Sequence, residues 1–226
     1  MRVLFSKTIR DLRAAWTQSL ALVVIVALGI ASFLTLVGAY RDLSTSYNHT
    51  YDRLRFADVT FAVSAAPEEV ARSLTELEGV DAATGRLVVD AGFERHDGEL
   101  IRSRLIGIDP TRHPPVNDVL ILEGRFLSGD DSRAALLEAH FAELHGHEPG
   151  EMVFPLLGGR RIAFEVVGIA ASPEYLIVSP SRQEILPAAR TFAVLFVPLQ
   201  ELQSLTGIEG TVNDIAIRAE PEASQS

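Results

Sequence analysis

The first pattern along the chain is an apolar stretch, residues 19–40, that contains no charged side chain. A helix of these 22 residues would be about 33 Å long, close to the roughly 30 Å hydrocarbon thickness of a bilayer. Trp16 and Tyr40 stand near its two ends, where aromatic side chains favour the headgroup layer. The pattern therefore predicts a transmembrane helix over residues 19–41.

Two other interpretations compete with this helix. A cleaved signal peptide has an apolar core of about 7–15 residues after a short leader, whereas this stretch is longer and follows 18 residues. A buried helix that is apolar all round needs protein on every side, and a chain of 226 residues can hardly supply it. The membrane-spanning interpretation is favoured over both.

Helical spacing continues on both sides of the stretch. Residues 1–18 repeat apolar positions every three to four residues between charged ones, which predicts an amphipathic cytoplasmic leader in the membrane interface. A plain charged extension of the span is an equally favoured alternative. Residues 42–57 keep the helical spacing and are predicted to form a helical stalk. The apolar residues of the stalk are Leu43, Tyr47, Tyr51 and Leu54.

After the stalk the pattern changes to short alternating segments typical of strands. Residues 58–118 read strand, helix, strand, strand, with a hairpin turn at Asp97-Gly98 between strands at residues 87–95 and 100–108. Residues 119–172 hold mainly short strands with one short helix at residues 138–144, and residues 173–219 end in strand, helix, strand, beginning with the strand of residues 191–197. Because this last part would complete the first sheet, we predict an α+β fold, a split βαβ sheet of ferredoxin-like type with residues 119–172 as an inserted, mostly β subdomain. The polar residues 220–226 are predicted to be a disordered tail.

Charge divides the chain at the same point as hydropathy. The formal charge is -10, and residues 1–18 hold four basic residues against one acidic residue, so the remaining chain carries −13. The basic leader favours a cytoplasmic N-terminus, which predicts a cell inner-membrane protein with residues 42–226 outside the cytoplasm. An acidic domain repels phosphates, so nucleic acid is not an expected partner.

Motifs for catalysis are missing from the sequence. It contains no P-loop, no GxSxG and no HExxH pattern, and it has no cysteine. We therefore predict neither a catalytic residue nor a cofactor, and an anchored hydrolase is disfavoured. A metal site could be built from His140, His145 and His147 with Glu143 and Glu148. Because His140 and His145 are five residues apart, they do not share a helical face, and solvated histidines at a helix end are the favoured interpretation.

Small residues recur at four-residue spacing inside the apolar stretch. They are Ala27, Ala31, Thr35 and Ala39. Rows of this kind lie where helices approach closely in lipid, so they predict a packing face for another helix.

Several phrases of the sequence resemble ABC transporter permeases of the FtsX/MacB type. The resemblance covers nearly the whole chain and rests on glycines, apolar strands and turns, so it carries no catalytic residue. The phrases are RDLRAAWTQSLALVVIVALGI, RFADV, LEGRF, LHGHEPGE, FEVVGIAASPEYL and VPLQELQSLTGIEGTVNDI.

The resemblance implies a permease whose first span carries an extracytoplasmic domain with a porter-like α/β part, residues 58–118 and 173–219, and an inserted β part. Such permeases pair as dimers and bind separate ATPase subunits on the cytoplasmic side. Nucleotide-driven motion then passes to the outer domain, which moves lipid, lipoprotein or peptide cargo or activates a partner.

One feature departs from the family. Its members have further spans after the outer domain, whereas this sequence shows no second apolar stretch of membrane length. The expectation is that the sequence is a fragment, or that the remaining transmembrane helices belong to another chain, or that the protein is a single-pass accessory. The alternative function is accordingly a single-pass, membrane-anchored binding or scaffold module.

Two groups of residues are candidates for partner contact. Arg10 and Arg13 of the leader either face an ATPase subunit or bind lipid phosphates. Tyr175, Leu176 and Ile177 lie on a proline-punctuated segment, residues 173–190, where exposed apolar residues often mark contact sites. The alternative is that this loop only closes over the edge of the sheet.

Overall fold

The computed structural model describes residues 16–175 and 190–220, except for the side chains of Ser19 and residues 42–52. Arg10, Arg13, Leu176 and Ile177 lie outside the described residues. The chain divides into two compact units, residues 1–50 and 51–226.

One long helix, α1, runs from Trp16 to Arg53. Its segment Trp16–Arg41 has a mean hydropathy of 2.8 and exposed side chains, as expected of a helix that meets lipid. The Thr35 hydroxyl donates a hydrogen bond to the Ala31 carbonyl at 2.8 Å, so this polar group is satisfied inside the helix. The predicted helical stalk, residues 42–57, extends beyond the observed end of the helix. The chain leaves the helix there because Arg55 has a φ of 50°.

The first part of the domain contains three strands and one short helix. Pro67 precedes the helix with a φ of −57°, which suits helix initiation, and Gly98 provides the positive φ of the hairpin turn. These elements are β1 (Val59–Pro67), α2 (Glu68–Ser73) with a 3₁₀ turn (Leu74–Glu76), β2 (Val80–Glu94) and β3 (Leu100–Ile108).

The remaining elements alternate short strands with two helices. They are β4 (Leu120–Gly124), β5 (Ala134–Glu138), α3 (Ala139–His145), β6 (Met152–Leu157), β7 (Arg160–Arg161), β8 (Phe164–Ala171), a 3₁₀ turn (Pro173–Tyr175), β9 (Phe192–Pro198), α4 (Leu199–Thr206) and β10 (Thr211–Ala219).

The last strand lies in the middle of the first sheet. β10 pairs antiparallel with β1 on one side and with the first half of β2 on the other. β1 and β2 are therefore parallel strands separated by β10 and joined through α2, which is a split βαβ arrangement. The predicted fold class, an apolar N-terminal helix followed by an α+β domain, is confirmed.

Strand pairing also forms a closed circuit. The second half of β2 pairs with β3, which pairs in parallel with β9, and β9 pairs with β5. From β5 the pairing continues through β8 and β6 and returns to β2 at Gly92–Glu94. The strands of residues 119–172 thus belong to the same sheet as their neighbours. Their assignment to a separate subdomain stays a prediction.

β9 lies between the two main apolar clusters of the domain. Ala193, Leu195 and Val197 face a cluster that contains Leu105, Phe141 and Phe164. Phe192, Val194 and Phe196 face the other cluster, with Leu136 and Ile106. A strand buried on both faces reads as a continuous apolar run, which explains the sequence FAVLFVP.

Candidate functional site

The residues that follow α1 are fastened to a loop of the domain. The Asp118 and Asn117 amides donate to the carbonyls of Leu54 and Arg55, each at 2.9 Å, and the Ala57 amide donates to Asn117 Oδ1 at 2.7 Å. The Leu54 and Ala57 side chains are buried. We call residues 54–58 and 116–118 the junction.

Both sides of the junction have unusual backbone conformations. Arg55 has a φ of 50° and Asn117 a φ of 55°, and they are the two non-glycine residues with positive φ in the described part of the chain. Asn tolerates this region better than most residues, because its short polar side chain bonds locally. Conformations of this kind persist only where the surrounding contacts determine the backbone. The hydrogen bonds of the junction provide such contacts.

A buried ion cluster lies beside the junction. Arg86 of β2 is 3% exposed, and it stands directly opposite Asp214 of β10 in the antiparallel register. Its Nε donates to Asp214 Oδ1 at 2.9 Å and its Nη2 to Glu174 Oε1 at 3.0 Å, while Nη1 contacts Glu174 Oε2. Burial opposes the charge, but the two carboxylates outweigh it and raise the pKa of Arg86 above its ordinary value. We call Arg86, Glu174 and Asp214 the Arg86 cluster.

Tyr175 is buried next to this cluster. Its ring packs edge-on against Phe196, with 6.4 Å between ring centroids, and the Arg104 guanidinium donates to its hydroxyl. Burial raises the pKa of Tyr175 to about 12, and the neighbouring Glu174 carboxylate adds to the shift. The sequence predicted that Tyr175 is one of several exposed contact residues. The predicted exposure of this side chain is wrong, because its ring packs in the second apolar cluster. A contact role for the loop stays a prediction.

A cavity of about 580 Å³ joins the junction to the Arg86 cluster. Phe56 to Asp58 line one part of it, and Arg86, Glu174, Tyr175 and Asp214 line another. The described lining holds no serine, cysteine or histidine, and its buried cation is matched by carboxylates. The cavity therefore brings the junction and the Arg86 cluster to one site.

The four small residues of the predicted row in α1 are exposed. The predicted packing face, Ala27, Ala31, Thr35 and Ala39, therefore stays a prediction. No local sequence feature pointed to Arg86, because its partners are 88 and 128 residues away.

The predicted group of histidines does not converge on one point. His140 bonds Glu138 at 2.7 Å, and His145 contacts the Arg190 carbonyl at 3.2 Å. His147 was expected to be solvated, but it is buried, because its ring stacks on Phe141 with 5.7 Å between centroids. Its neighbour is instead His96, 51 residues earlier in the chain.

A family comparison decides which class of protein this fold belongs to. The sequence matches the MacB-like periplasmic core domain over residues 19–226. This chain belongs to the MacB-like periplasmic core domain family. The resemblance to permeases of the FtsX/MacB type is thereby confirmed, and no curated protein matches the chain significantly.

Two solved structures match a large part of the chain. The extracellular domain of the noncanonic ABC-type transporter YknZ from Gram-positive bacteria is 18% identical, with a TM-score of 0.46 over 71% of this chain and 82% of that one. The periplasmic region of MacB from Actinobacillus actinomycetemcomitans is 12% identical, with a TM-score of 0.45 over 72% of this chain and 74% of that one. The family assignment rests on the sequence match. An apolar N-terminal helix followed by a MacB-like domain fits a membrane-anchored protein.

Proposed function

We propose that this chain is the N-terminal portion of the membrane permease of an ABC transporter. A separate ATPase subunit on the cytoplasmic side hydrolyses ATP, and the resulting motion reaches the extracytoplasmic domain through α1. Residues 1–18 lie in the cytoplasm and residues 42–226 outside the inner membrane. The cargo is a lipid, a lipoprotein or a peptide, or the moving domain activates a partner.

The junction is the observation that carries this proposal. A lever transmits motion only where its end is held firmly, and a flexible link would absorb the displacement. Three hydrogen bonds hold residues 54–57 to the loop at 117–118, and two buried apolar side chains add to them. Each hydrogen bond contributes about 0.5–1.5 kcal/mol.

Partners follow from the same arrangement. A second permease copy completes a dimer, and the remaining transmembrane helices pack on the row that contains Ala31 and Thr35. Arg10 and Arg13 of the basic leader face the ATPase subunit. The Arg86 cluster holds the start of the 173–190 segment against the sheet, which presents that segment to an outer partner.

Flexible linkers offer a direct test of the coupling. The chain has no cysteine, so Ser204→Cys in the exposed part of α4 introduces one spin-label site per copy. In the assembled permease with its ATPase, we expect ATP to change the distance between the two labels. Insertion of Gly-Gly-Ser between Arg53 and Leu54 should abolish this change while the ATPase still co-purifies.

The matched control is the same insertion between Gly158 and Gly159, in the exposed turn that joins β6 and β7. It should leave the ATP-dependent distance change intact. A normal distance change in the junction variant would refute coupling through the junction. Failure of an ATPase to co-purify in detergent and in nanodiscs would refute the permease itself and favour the single-pass binding module.

A further inference from the structure

Three side chains that can bind metals converge at one edge of the domain. His96 Nε2 lies 3.3 Å from His147 Nδ1. Glu151 Oε2 lies 2.9 Å from His147 Nδ1 and 3.8 Å from His96 Nε2. They come from two separate segments, the β2–β3 turn and the loop between α3 and β6.

The separations match the geometry of a metal site. Triangulation places a point about 2.0 Å from all three atoms, which agrees with Zn–N bonds of about 2.0–2.1 Å and Zn–O bonds of about 2.0–2.2 Å. Two imidazoles and one carboxylate form a ligand set that suits Zn²⁺. We propose that His96, His147 and Glu151 bind a zinc ion.

The central ligand is held in place before any ion arrives. The His147 ring stacks on Phe141 and meets Phe93 edge-on, with 6.3 Å between centroids. Its backbone amide donates to the Ala142 carbonyl at 2.9 Å, in the turn that ends α3 at Gly146. His147 Nδ1 is the nitrogen that faces the cluster, and when it binds an ion the ring proton is on the buried Nε2. A ligand fixed in this way loses little freedom on binding.

The second segment is also fixed to the sheet. The Val166 amide donates to the Glu151 carbonyl at 2.8 Å, which ties Glu151 to β8. The hairpin that carries His96 is closed by hydrogen bonds from the Arg95 amide to Glu99 and from the Gly98 amide to Arg95. Two rigid segments therefore present their ligand atoms to the same point.

Without an ion the three converging atoms compete for hydrogen-bonding protons. Each neutral imidazole carries one proton on two nitrogens, and an ionised carboxylate only accepts. When His147 Nδ1–H donates to Glu151 Oε2, it no longer serves His96 Nε2 at 3.3 Å, and the exposed His96 is left to solvent. A divalent cation would accept lone pairs from all three groups at once.

The surroundings leave room for an ion and balance the nearby positive charges. A cavity of about 180 Å³ adjoins His96 and His147, and the His96 side chain is 63% exposed. The two arginines on this cavity are paired, Arg95 with Asp97 and Glu99, and Arg161 with Glu94. Water or a partner's side chain would complete the coordination, since three protein ligands leave one position of tetrahedral zinc open.

Bound zinc would link two parts of the chain that meet beside the β2–β6 pairing. It would join the hairpin of residues 58–118 to the block of residues 119–172 at the point where the strand circuit closes. This role is independent of the permease function, because it concerns the domain alone.

Zinc binding can be measured on the full chain in detergent, free of any histidine tag and treated with EDTA beforehand. Competition with a chromogenic zinc chelator should reveal one site per chain, and added zinc should raise the melting temperature. His96→Ala removes an exposed ligand without disturbing the core, so we expect at least about a 100-fold loss of affinity. Glu151→Gln should weaken binding in the same direction.

His140→Ala is the matched control, because His140 is also half exposed and is paired with Glu138. It should leave the affinity and the zinc-dependent rise in melting temperature unchanged. The proposal is overturned if the wild type binds zinc no more tightly than His96→Ala. It is also overturned if His140→Ala loses as much affinity as His96→Ala, since the ion would then bind elsewhere.

Discussion

The two polar clusters of the domain lie at different places along β2, one at its middle and one just beyond its C-terminal end, and they differ in whether they are complete. The Arg86 cluster is closed, since one buried cation meets two carboxylates and its donors have acceptors. The cluster of His96, His147 and Glu151 is open, since three potential metal ligands converge there and one of them, His96, is largely exposed. A closed cluster holds the fold together by itself, whereas an open one points to a ligand. We therefore assign the first to structure and the second to binding.

Removal of Arg86 should give the largest effect. Arg86→Met leaves Glu174 and Asp214 without their cation in a poorly solvated site, and breaking a buried ion pair in this way costs about 3–5 kcal/mol. Urea unfolding of the full chain in detergent, followed by the circular dichroism of the sheet, measures this loss.

Two further variants sharpen the result. Arg112→Met removes an arginine whose side chain is 71% exposed, and it should cost less than about 1 kcal/mol. The triple change Arg86→Met, Glu174→Gln and Asp214→Asn removes all the charges and should recover part of the loss. An Arg86→Met variant as stable as Arg112→Met would show that the cluster is not a closed structural unit.

Much of the secondary structure could be predicted from local pattern. The apolar run of β9, the Asp97-Gly98 turn and the short α3 were all predicted, because each is encoded within a few residues. The first half of β2, Val80 to Arg86, was missed. Its sequence VDAATGR is poor in strand-forming residues, and it is a strand because β10 pairs with it.

Neither cluster could be predicted from spacing. His96 meets His147 across 51 residues, and Arg86 meets Asp214 across 128. The first contact depends on the pairing of β2 with β6 and the second on the pairing of β2 with β10. Only the folded topology defines these pairings. Local pattern grouped His147 with its sequence neighbour His140, which bonds Glu138 instead.

The ionisation of Tyr175, which is buried next to the Arg86 cluster, should lower the stability of the fold at high pH. Its pKa in the folded state is about 12 against an ordinary value of 10.0, so the folded protein keeps it neutral. The stability that this provides is complete below about pH 10 and is lost as the pH rises towards 12. Tyr175→Phe should cost about 1 kcal/mol at neutral pH through the lost hydrogen bond with Arg104, and it should remove this tyrosine's share of the alkaline loss.

Ultraviolet absorption of the phenolate follows the titration directly. In the wild type one of the four tyrosines should ionise about two pH units after the ordinary value, and this late step should be missing in Tyr175→Phe. Ionisation of every tyrosine near pH 10 in the folded chain would mean that Tyr175 is not enclosed beside the cluster.

The open cluster should give the smallest effect when no metal is present. His147→Leu removes Nε2, which is buried without a partner, and the Nδ1 contact with Glu151, whose carboxylate is still able to bind water. In EDTA we expect the free energy of unfolding to change by less than about 1 kcal/mol.

Phe141→Ala, which empties a fully buried position against the same ring, provides the contrast and should cost about 3–5 kcal/mol. A loss above about 2 kcal/mol for His147→Leu in EDTA would mean that this cluster, like the Arg86 cluster, stabilises the fold without a ligand.

The length of β2 has a consequence for cooperativity. The strand has 15 residues and extends about 50 Å at roughly 3.3 Å per residue. Its first half completes the sheet with β1 and β10, and its second half takes part in the strand circuit. Because the two halves are one continuous strand, opening of one half would disturb the backbone hydrogen bonds of the other half. Amide hydrogen exchange should therefore find the two halves opening as one unit, and the block of residues 119–172 would have no unfolding step of its own.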